Sequence, residues 1–117
     1  VAADIADTKA ELAAVAGTAD GLDPGDVLRT LAARGANEVQ VEAGPTLAGA
    51  LFAAGLVDEL LLYVAPVLLG GDARPLFELP PLTRLASGWR LRLVEQCQVG
   101  ADLRLLLRPE QAVPEDR

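Results

Sequence analysis

The chain contains no histidine and no methionine, only one cysteine, and four aromatic residues (two Phe, one Tyr and one Trp) among its 117 positions. The absence of histidine excludes Ser-His-Asp triads, His-ligated zinc and imidazole acid–base catalysis. Cys97 has no second cysteine with which to form a disulfide, and without a basic histidine beside it we expect an inert thiol. So few aromatic residues disfavour a stacking platform for single-stranded nucleic acid.

Apolar and acidic residues are abundant. Hydrophobic residues make up 51% of the chain, which excludes intrinsic disorder and, at this length, predicts a single domain. The net charge of −7 disfavours nucleic acid as a partner. Two uncharged stretches, residues 43–57 and 60–71, are each shorter than the roughly 18–20 residues that cross a membrane, so we expect no membrane span. The start of the chain carries no secretion signal and no initiator Met, and we expect a cytoplasmic protein whose sequence is cut from a longer chain.

A helix followed by a strand is predicted in the first half of the chain. Asp23 suits the N-cap, Pro24 the first helical position, and Gly35 the position just after the end, so a helix is predicted over residues 23–35. Residues 38–42 alternate between apolar and polar at period two, which is typical of a strand.

A second helix is predicted from Pro45 to Ala54, where Gly55 stops it. The residues from Leu60 to Ala65 are all apolar, which indicates a strand covered on both faces. Residues 1–20 are ambiguous, because their apolar positions fit one face of a helix or, in part, a short strand closed by a glycine.

An antiparallel hairpin is predicted near the end of the chain. Leucine and arginine alternate around residues 89–93 and 103–108, and residues 99–102 supply the turn. We expect the arginines to pair with acids across strands or to contact another subunit; they are Arg90, Arg92, Arg104 and Arg108. Residues 110–117 are polar and are expected to form a disordered tail. Strand–helix–strand units followed by a hairpin indicate an α/β fold with a mixed sheet and flanking helices.

The junction between the strand at 38–42 and the second helix is the strongest candidate for a site. Gly44 lets a ligand approach the backbone, and Thr46 offers a hydroxyl beside helix amides that lack intrahelical acceptors and favour an anion. Glu42, at the end of the strand, could accept hydrogen bonds from a hydroxyl-bearing ligand. A purely structural turn with a solvated Glu42 fits the same residues, because glycine turns between strand and helix are common.

Two other features have simpler interpretations. Asp58 and Glu59 are neighbours in an extended segment and point to opposite faces, so we interpret them as the polar entry to a strand rather than as a catalytic carboxylate pair. The glycine-rich stretch at 70–74, which ends in Arg74, is not followed by a helix and is interpreted as an ordinary loop rather than a phosphate grip.

Three blocks of the sequence, in this order, resemble the C-terminal reductase domain of the bacterial bifunctional riboflavin-biosynthesis deaminase/reductase: Val41–Leu47, Ala54–Leu60 and Ala65–Phe77. Residues 99–105 resemble the last hairpin of that domain. The resemblance runs from about Leu22 to Pro109. It implies a dihydrofolate-reductase-like fold and an NADPH-dependent reaction that reduces the ribosylamino side chain of a pyrimidine 5′-phosphate to ribitylamino.

The same resemblance implies roles for the junction residues. Glu42 would contact the substrate, the phosphorylated pyrimidine 5-amino-6-(5-phosphoribosylamino)uracil. NADPH would be held, chiefly through its phosphates, by Gly44, Pro45, Thr46, Leu47, Ala48, Gly49 and Ala50. Residues 11–16 would form a strand. No metal is implied in this part of the family's chain, since its zinc belongs to the separate deaminase domain, and no residue is assigned as the catalytic proton donor.

The family's reductase domain is longer than this chain, and nothing here resembles its N-terminal half. We therefore expect residues 1–117 to be part of a single reductase domain. The partners we expect are the missing N-terminal half and a deaminase domain joined to it. We also expect a homodimer, because an apolar strand and a hairpin without neighbours leave open sheet edges. Two alternatives remain open: a nucleotide-binding fragment that is catalytically incomplete, and an assembly module.

Overall fold

The computed structural model describes residues 10–19 and 21–110, which divide between two units, Val1–Val41 and Glu42–Arg117. In the first unit, strands β1 (Gly17–Thr18) and β2 (Gly21–Leu22) form a short antiparallel pair ahead of helix α1 (Pro24–Ala33). The second unit contains helix α2 (Pro45–Ala53) and strands β3 (Leu60–Val64), β4 (Leu91–Val99) and β5 (Asp102–Pro109), with a single 3₁₀ turn at Leu85–Ser87.

Helix α1 begins where its capping residues predict. The carboxylate of Asp23 accepts a hydrogen bond from the amide of Asp26 at 3.0 Å, which satisfies one of the amides left open at a helix start. The carboxylate of Asp26 in turn accepts from the amide of Ala16 at 2.6 Å, so the helix start is tied to the segment before β1. Gly35 follows the helix with φ of +94°, a left-handed conformation that favours glycine. The predicted helix is confirmed.

Two strands expected in the first half of the chain are not formed. Residues 38–42 belong to no sheet, and residues 11–16 form neither a strand nor a helix. A strand is defined by hydrogen bonds to a neighbouring strand. Among the described residues, neither segment is paired with a strand. The period-two pattern of 38–42 therefore does not produce a sheet within residues 10–19 and 21–110.

Helix α2 is confirmed, and it carries the core of the second unit. Its C-terminal end is followed by Gly55, which has φ of +68° and donates its amide to the carbonyl of Phe52 at 3.0 Å. Among the described residues, Leu51 and Phe52 are the buried large apolar side chains. The ring of Phe52 lies 5.0 Å from that of Phe77, at an interplanar angle of 31°, and so fixes the loop that contains Phe77 on the helix.

A close backbone contact joins the same loop to α2. Gly49 is buried, and a Cβ built on it would fall against the backbone oxygen of Glu78 and 2.9 Å from its carbonyl carbon. Because both neighbouring atoms are backbone, no side-chain rotation could relieve the overlap. Only glycine at this position allows the loop to lie directly on the helix.

The three long strands form one sheet in the order β3-β5-β4, with both pairs antiparallel. β4 and β5 form the predicted hairpin, which turns at Gly100 with φ of +63°. A bulge between Leu93 and Glu95 shifts the register of β4 against β5. The predicted hairpin is confirmed. The helices and sheets together confirm the α/β class. Within residues 10–19 and 21–110, all strand pairs are antiparallel.

The expectation that β3 is covered on both faces is wrong. Tyr63 is 55% exposed on one face and Val64 is 42% exposed on the other. The face that includes Val64 continues across the sheet as a surface of leucines paired in register; these are Leu60, Leu62, Leu103, Leu105 and Leu107. On this surface Leu103 is 47% exposed, whereas Leu60, Leu62, Leu105 and Leu107 are half-buried, so the apolar composition of β3 does not lead to full burial.

Two of the four hairpin arginines, Arg104 and Arg108, pair with acids, as expected. Arg104 contacts Glu95 at 2.6 Å, and Arg108 contacts Glu59 at 2.6 Å. Arg104 also donates to the sulfur of Cys97 at 3.7 Å, and its hydrogen bonds to Cys97 and Glu95 raise the pKa of the guanidinium above its ordinary value. Glu59 thus stabilises the sheet at the entry to β3, in agreement with its interpretation as a polar strand entry.

The Gly49 contact yields a test in which two effects have opposite signs. In an isolated helix, Gly49→Ala would be stabilising by up to about 1 kcal/mol. In the folded chain the added Cβ overpacks against backbone, which costs about 1–3 kcal/mol. We therefore expect the substitution to lower the free energy of unfolding by about 1–2 kcal/mol. Urea denaturation measures the difference. Gly71→Ala is the control, since an added Cβ there meets no atom within 4 Å. A stabilised Gly49→Ala variant would contradict the close packing.

Candidate functional site

The candidate site begins with an open turn into α2. Gly44 is the N-cap, with extended backbone angles (φ −71°, ψ 173°) and no side chain to cap the helix. A Cβ added to Gly44 would meet no atom within 4 Å, so the turn is open to approach from outside. The first intrahelical bond runs from the amide of Ala48 to the carbonyl of Gly44 at 3.1 Å, and helix geometry leaves the amides of Thr46 and Leu47 without an intrahelical acceptor.

Glu78 lies against this turn, and the sequence analysis does not identify it. The Thr46 hydroxyl donates to Oε2 of Glu78 at 2.7 Å, and the Glu78 amide donates to the carbonyl of Pro45 at 3.0 Å. The Thr46 hydroxyl, expected to face a ligand, therefore already donates its hydrogen within the chain. No periodicity or short motif links two residues 32 positions apart, so sequence spacing held no signal for this contact.

The seven residues expected to hold a cofactor are not equally accessible. Gly44, Thr46, Leu47 and Ala50 are exposed, Pro45 and Ala48 are half-buried, and Gly49 is buried against the backbone of Glu78. The glycine at position 49 is therefore explained by packing inside the chain. At the start of the helix the surface that a ligand could reach is formed by the residues at 44, 46 and 47, and Ala50 is exposed further along α2.

Glu42, the expected substrate contact, is exposed and lies two residues before Gly44. The strand that was expected to present it is not formed, so the short distance along the chain, rather than a sheet, places Glu42 near the turn. The structure brings Glu42 and the open turn into one unit of the fold.

Three further possibilities find no support in the part of the chain that the structure describes. There, no three His, Cys, Asp or Glu side chains are close enough to hold a metal ion. The loop at 70–74 forms a turn in which the Ala73 amide reaches the carbonyl of Gly70 at 3.4 Å, and Arg74 is exposed beyond it. Within the described residues, no helix has the length and apolar character needed to span a membrane.

Comparison with known proteins identifies relatives of one kind. The chain is 56% identical over 71 residues to the riboflavin biosynthesis protein RibD of Escherichia coli K12, which covers 61% of this chain and 19% of that protein. It is 39% identical over 75 residues to a protein of Buchnera aphidicola named 5-amino-6-(5-phosphoribosylamino)uracil reductase, covering 64% of this chain and 36% of that protein. The chain therefore spans about a fifth to a third of the length of these relatives.

A solved structure agrees with the sequence relatives. RibD of Acinetobacter baumannii superposes with a TM-score of 0.71 at 38% identity, over 78% of this chain and 26% of that one. This likeness confirms the expected fold class. The family model of the RibD C-terminal domain matches residues 2–105, nearly the whole chain, and the chain therefore belongs to the RibD C-terminal domain family.

Proposed function

We propose that this chain is part of a reductase that acts on 5-amino-6-(5-phosphoribosylamino)uracil in riboflavin biosynthesis. The observation that carries the proposal is the relative from Buchnera, which is named for this activity and shares 39% of the aligned residues. In this reaction a hydride adds to C1′ of the ribosyl group, the bond from C1′ to the ring oxygen breaks, and that oxygen takes up a proton. The product is the open ribitylamino chain.

The cofactor we propose is NADPH, which supplies the hydride when bound. The residues at the start of α2 fit a phosphate group: a Cβ added at the N-cap Gly44 would meet no atom within 4 Å, and two amides lack intrahelical acceptors. We assign the phosphate contacts to the amides of Thr46 and Leu47, with Gly44 allowing close approach. Pro45, Ala48, Gly49 and Ala50 complete the segment by shaping the helix behind these contacts.

Glu42 is the substrate contact in this proposal. Its carboxylate is exposed two residues before the cofactor turn, and it would accept hydrogen bonds from hydroxyl groups of the substrate. Such a contact would hold C1′ near the nicotinamide ring, which is the protein's main task when the cofactor carries the chemistry. The described residues show no group that we assign as the proton donor.

We further infer that the chain works together with other chain segments. It matches 19% of the Escherichia coli protein, and its sheet ends in two edge strands, β3 and β4. We propose that the N-terminal half of a reductase domain completes the pocket, that a deaminase domain is joined to that half, and that two copies associate. The cytoplasmic location expected from the sequence stays a prediction.

A binding experiment tests the cofactor segment. NADPH added to the isotope-labelled chain is expected to shift the amide signals of Thr46 and Leu47, and Gly44→Val is expected to abolish those shifts because its side chain occupies the open approach. The extended backbone at residue 44 accommodates valine without strain. Gly71→Val, in another open loop position, is the control. Unchanged shifts in Gly44→Val would place the site elsewhere.

A kinetic experiment tests Glu42. We expect Glu42→Gln to lower kcat/KM by about 10- to 150-fold in a complete reductase that carries this segment, because losing a charge-assisted hydrogen bond costs about 1.5–3 kcal/mol. The melting temperature should stay unchanged. Glu38→Gln, which removes the same charge four residues earlier, is the matched control. A lowered melting temperature with little kinetic effect would assign Glu42 a structural role instead.

Self-association is tested by sedimentation. We expect the chain to sediment as a dimer or larger species at micromolar concentration, because the edge strands carry unpaired backbone groups and apolar side chains that a second copy can cover. The sedimentation coefficient should fall on dilution. A monomer at all concentrations, with a cooperative thermal transition, would contradict the proposed homodimer.

A further inference from the structure

We propose that Glu78 is a positioning residue that fixes the first turn of α2, and with it the direction of the Thr46 and Leu47 amides. The inference rests on the proposed function, which assigns cofactor phosphates to these amides. Glu78 does not touch the ligand itself in this account and acts through Thr46 and the helix backbone.

Three contacts between residue 78 and the helix support the proposal. The Glu78 amide donates to the carbonyl of Pro45 at 3.0 Å, and its carboxylate accepts from the Thr46 hydroxyl at 2.7 Å. Its backbone also lies against Gly49, which is buried. These contacts run from the first helical residue to the fifth, so they oppose both rotation of the first turn and its separation from the loop.

The loop is itself anchored, so it can act as a support. The residue before Glu78 is Phe77, whose ring lies 5.0 Å from the ring of Phe52. Phe52 is only 4% exposed and belongs to the core of the unit. The contact between Phe77 and Phe52 therefore fixes the position of Glu78, and Glu78 in turn contacts the start of α2 at Pro45 and Thr46.

The Thr46 contact determines which groups could face a phosphate. Its hydroxyl hydrogen is used in the bond to Glu78, so the hydroxyl has no hydrogen left to donate to a ligand oxygen. The donors that remain are backbone amides, and their direction depends on the orientation of the turn. A support that holds the turn therefore affects affinity without contact with the ligand.

The carboxylate of Glu78 has a second effect of opposite sign. A negative charge near a helix N-terminus favours the helix but repels a phosphate bound at the same end. Glutamine separates the two effects, because its amide oxygen accepts a hydrogen bond from Thr46 without a charge. Alanine removes the acceptor together with the charge and leaves the backbone contacts in place.

The test uses the 117-residue chain, with NADPH affinity measured from amide chemical shifts. We expect Glu78→Ala and Thr46→Val each to weaken binding by about two- to tenfold, the usual worth of one net hydrogen bond. The double variant should bind no more weakly than either single variant, because both lose the same contact. Glu78→Gln should bind as tightly as the unaltered chain or more tightly. Glu38→Ala, in the other unit, is the charge control.

Amide hydrogen exchange supplies the second readout. The amide of Ala48 bonds to the carbonyl of Gly44, and its exchange should be faster in Glu78→Ala and Thr46→Val but not in Glu78→Gln. Glu78→Ala that binds NADPH as tightly as Glu78→Gln, with unchanged exchange at Ala48, would overturn the inference. If the unaltered chain shows no shifts at Thr46 and Leu47, the proposed function fails at this segment, and exchange at Ala48 alone then decides whether Glu78 holds the turn.

Discussion

The second unit depends on the contact between helix α2 and the backbone of Glu78. Gly49 has no Cβ, so the loop from Phe77 to Glu78 can lie directly on the helix. That contact brings Phe77 to Phe52 and Glu78 to Thr46, so one glycine permits the core contact and the support of the helix start together. The open turn at Gly44 lies at the same helix end and takes its orientation from this contact.

The sheet of the second unit shows a different constraint. Among the described residues, β5 has a neighbouring strand on each side, whereas β3 and β4 each have a neighbour on one side. The apolar side chains of β3 are half exposed although every residue of the strand is apolar or aromatic. Ion pairs from β5 to Glu59 and Glu95 fix the polar positions of the sheet, but exposed ion pairs of this kind contribute at most about 1 kcal/mol each. β3 is paired along its length with β5, although its side chains stay half-buried or exposed.

Local signals in the sequence predicted the helices and the hairpin well. Asp23 caps α1, Gly55 follows α2, and Gly100 turns the hairpin, because each of these residues acts within a few positions of its own place in the chain. The strands predicted at 11–16 and 38–42 failed because a strand also needs a partner, and no local pattern contains one. The open turn at Gly44 was identified from local residues, whereas its support by Glu78 depends on a contact across 32 positions and was not.

We propose that this chain supplies the cofactor turn and the substrate contact of a riboflavin-pathway reductase. The most direct test replaces the matching segment of Escherichia coli RibD with the residues of this chain and measures substrate-dependent oxidation of NADPH. We expect the hybrid to oxidise NADPH only when 5-amino-6-(5-phosphoribosylamino)uracil is present, and we expect the isolated chain to show no turnover. A hybrid that folds and melts cooperatively but leaves NADPH unoxidised would contradict the claim.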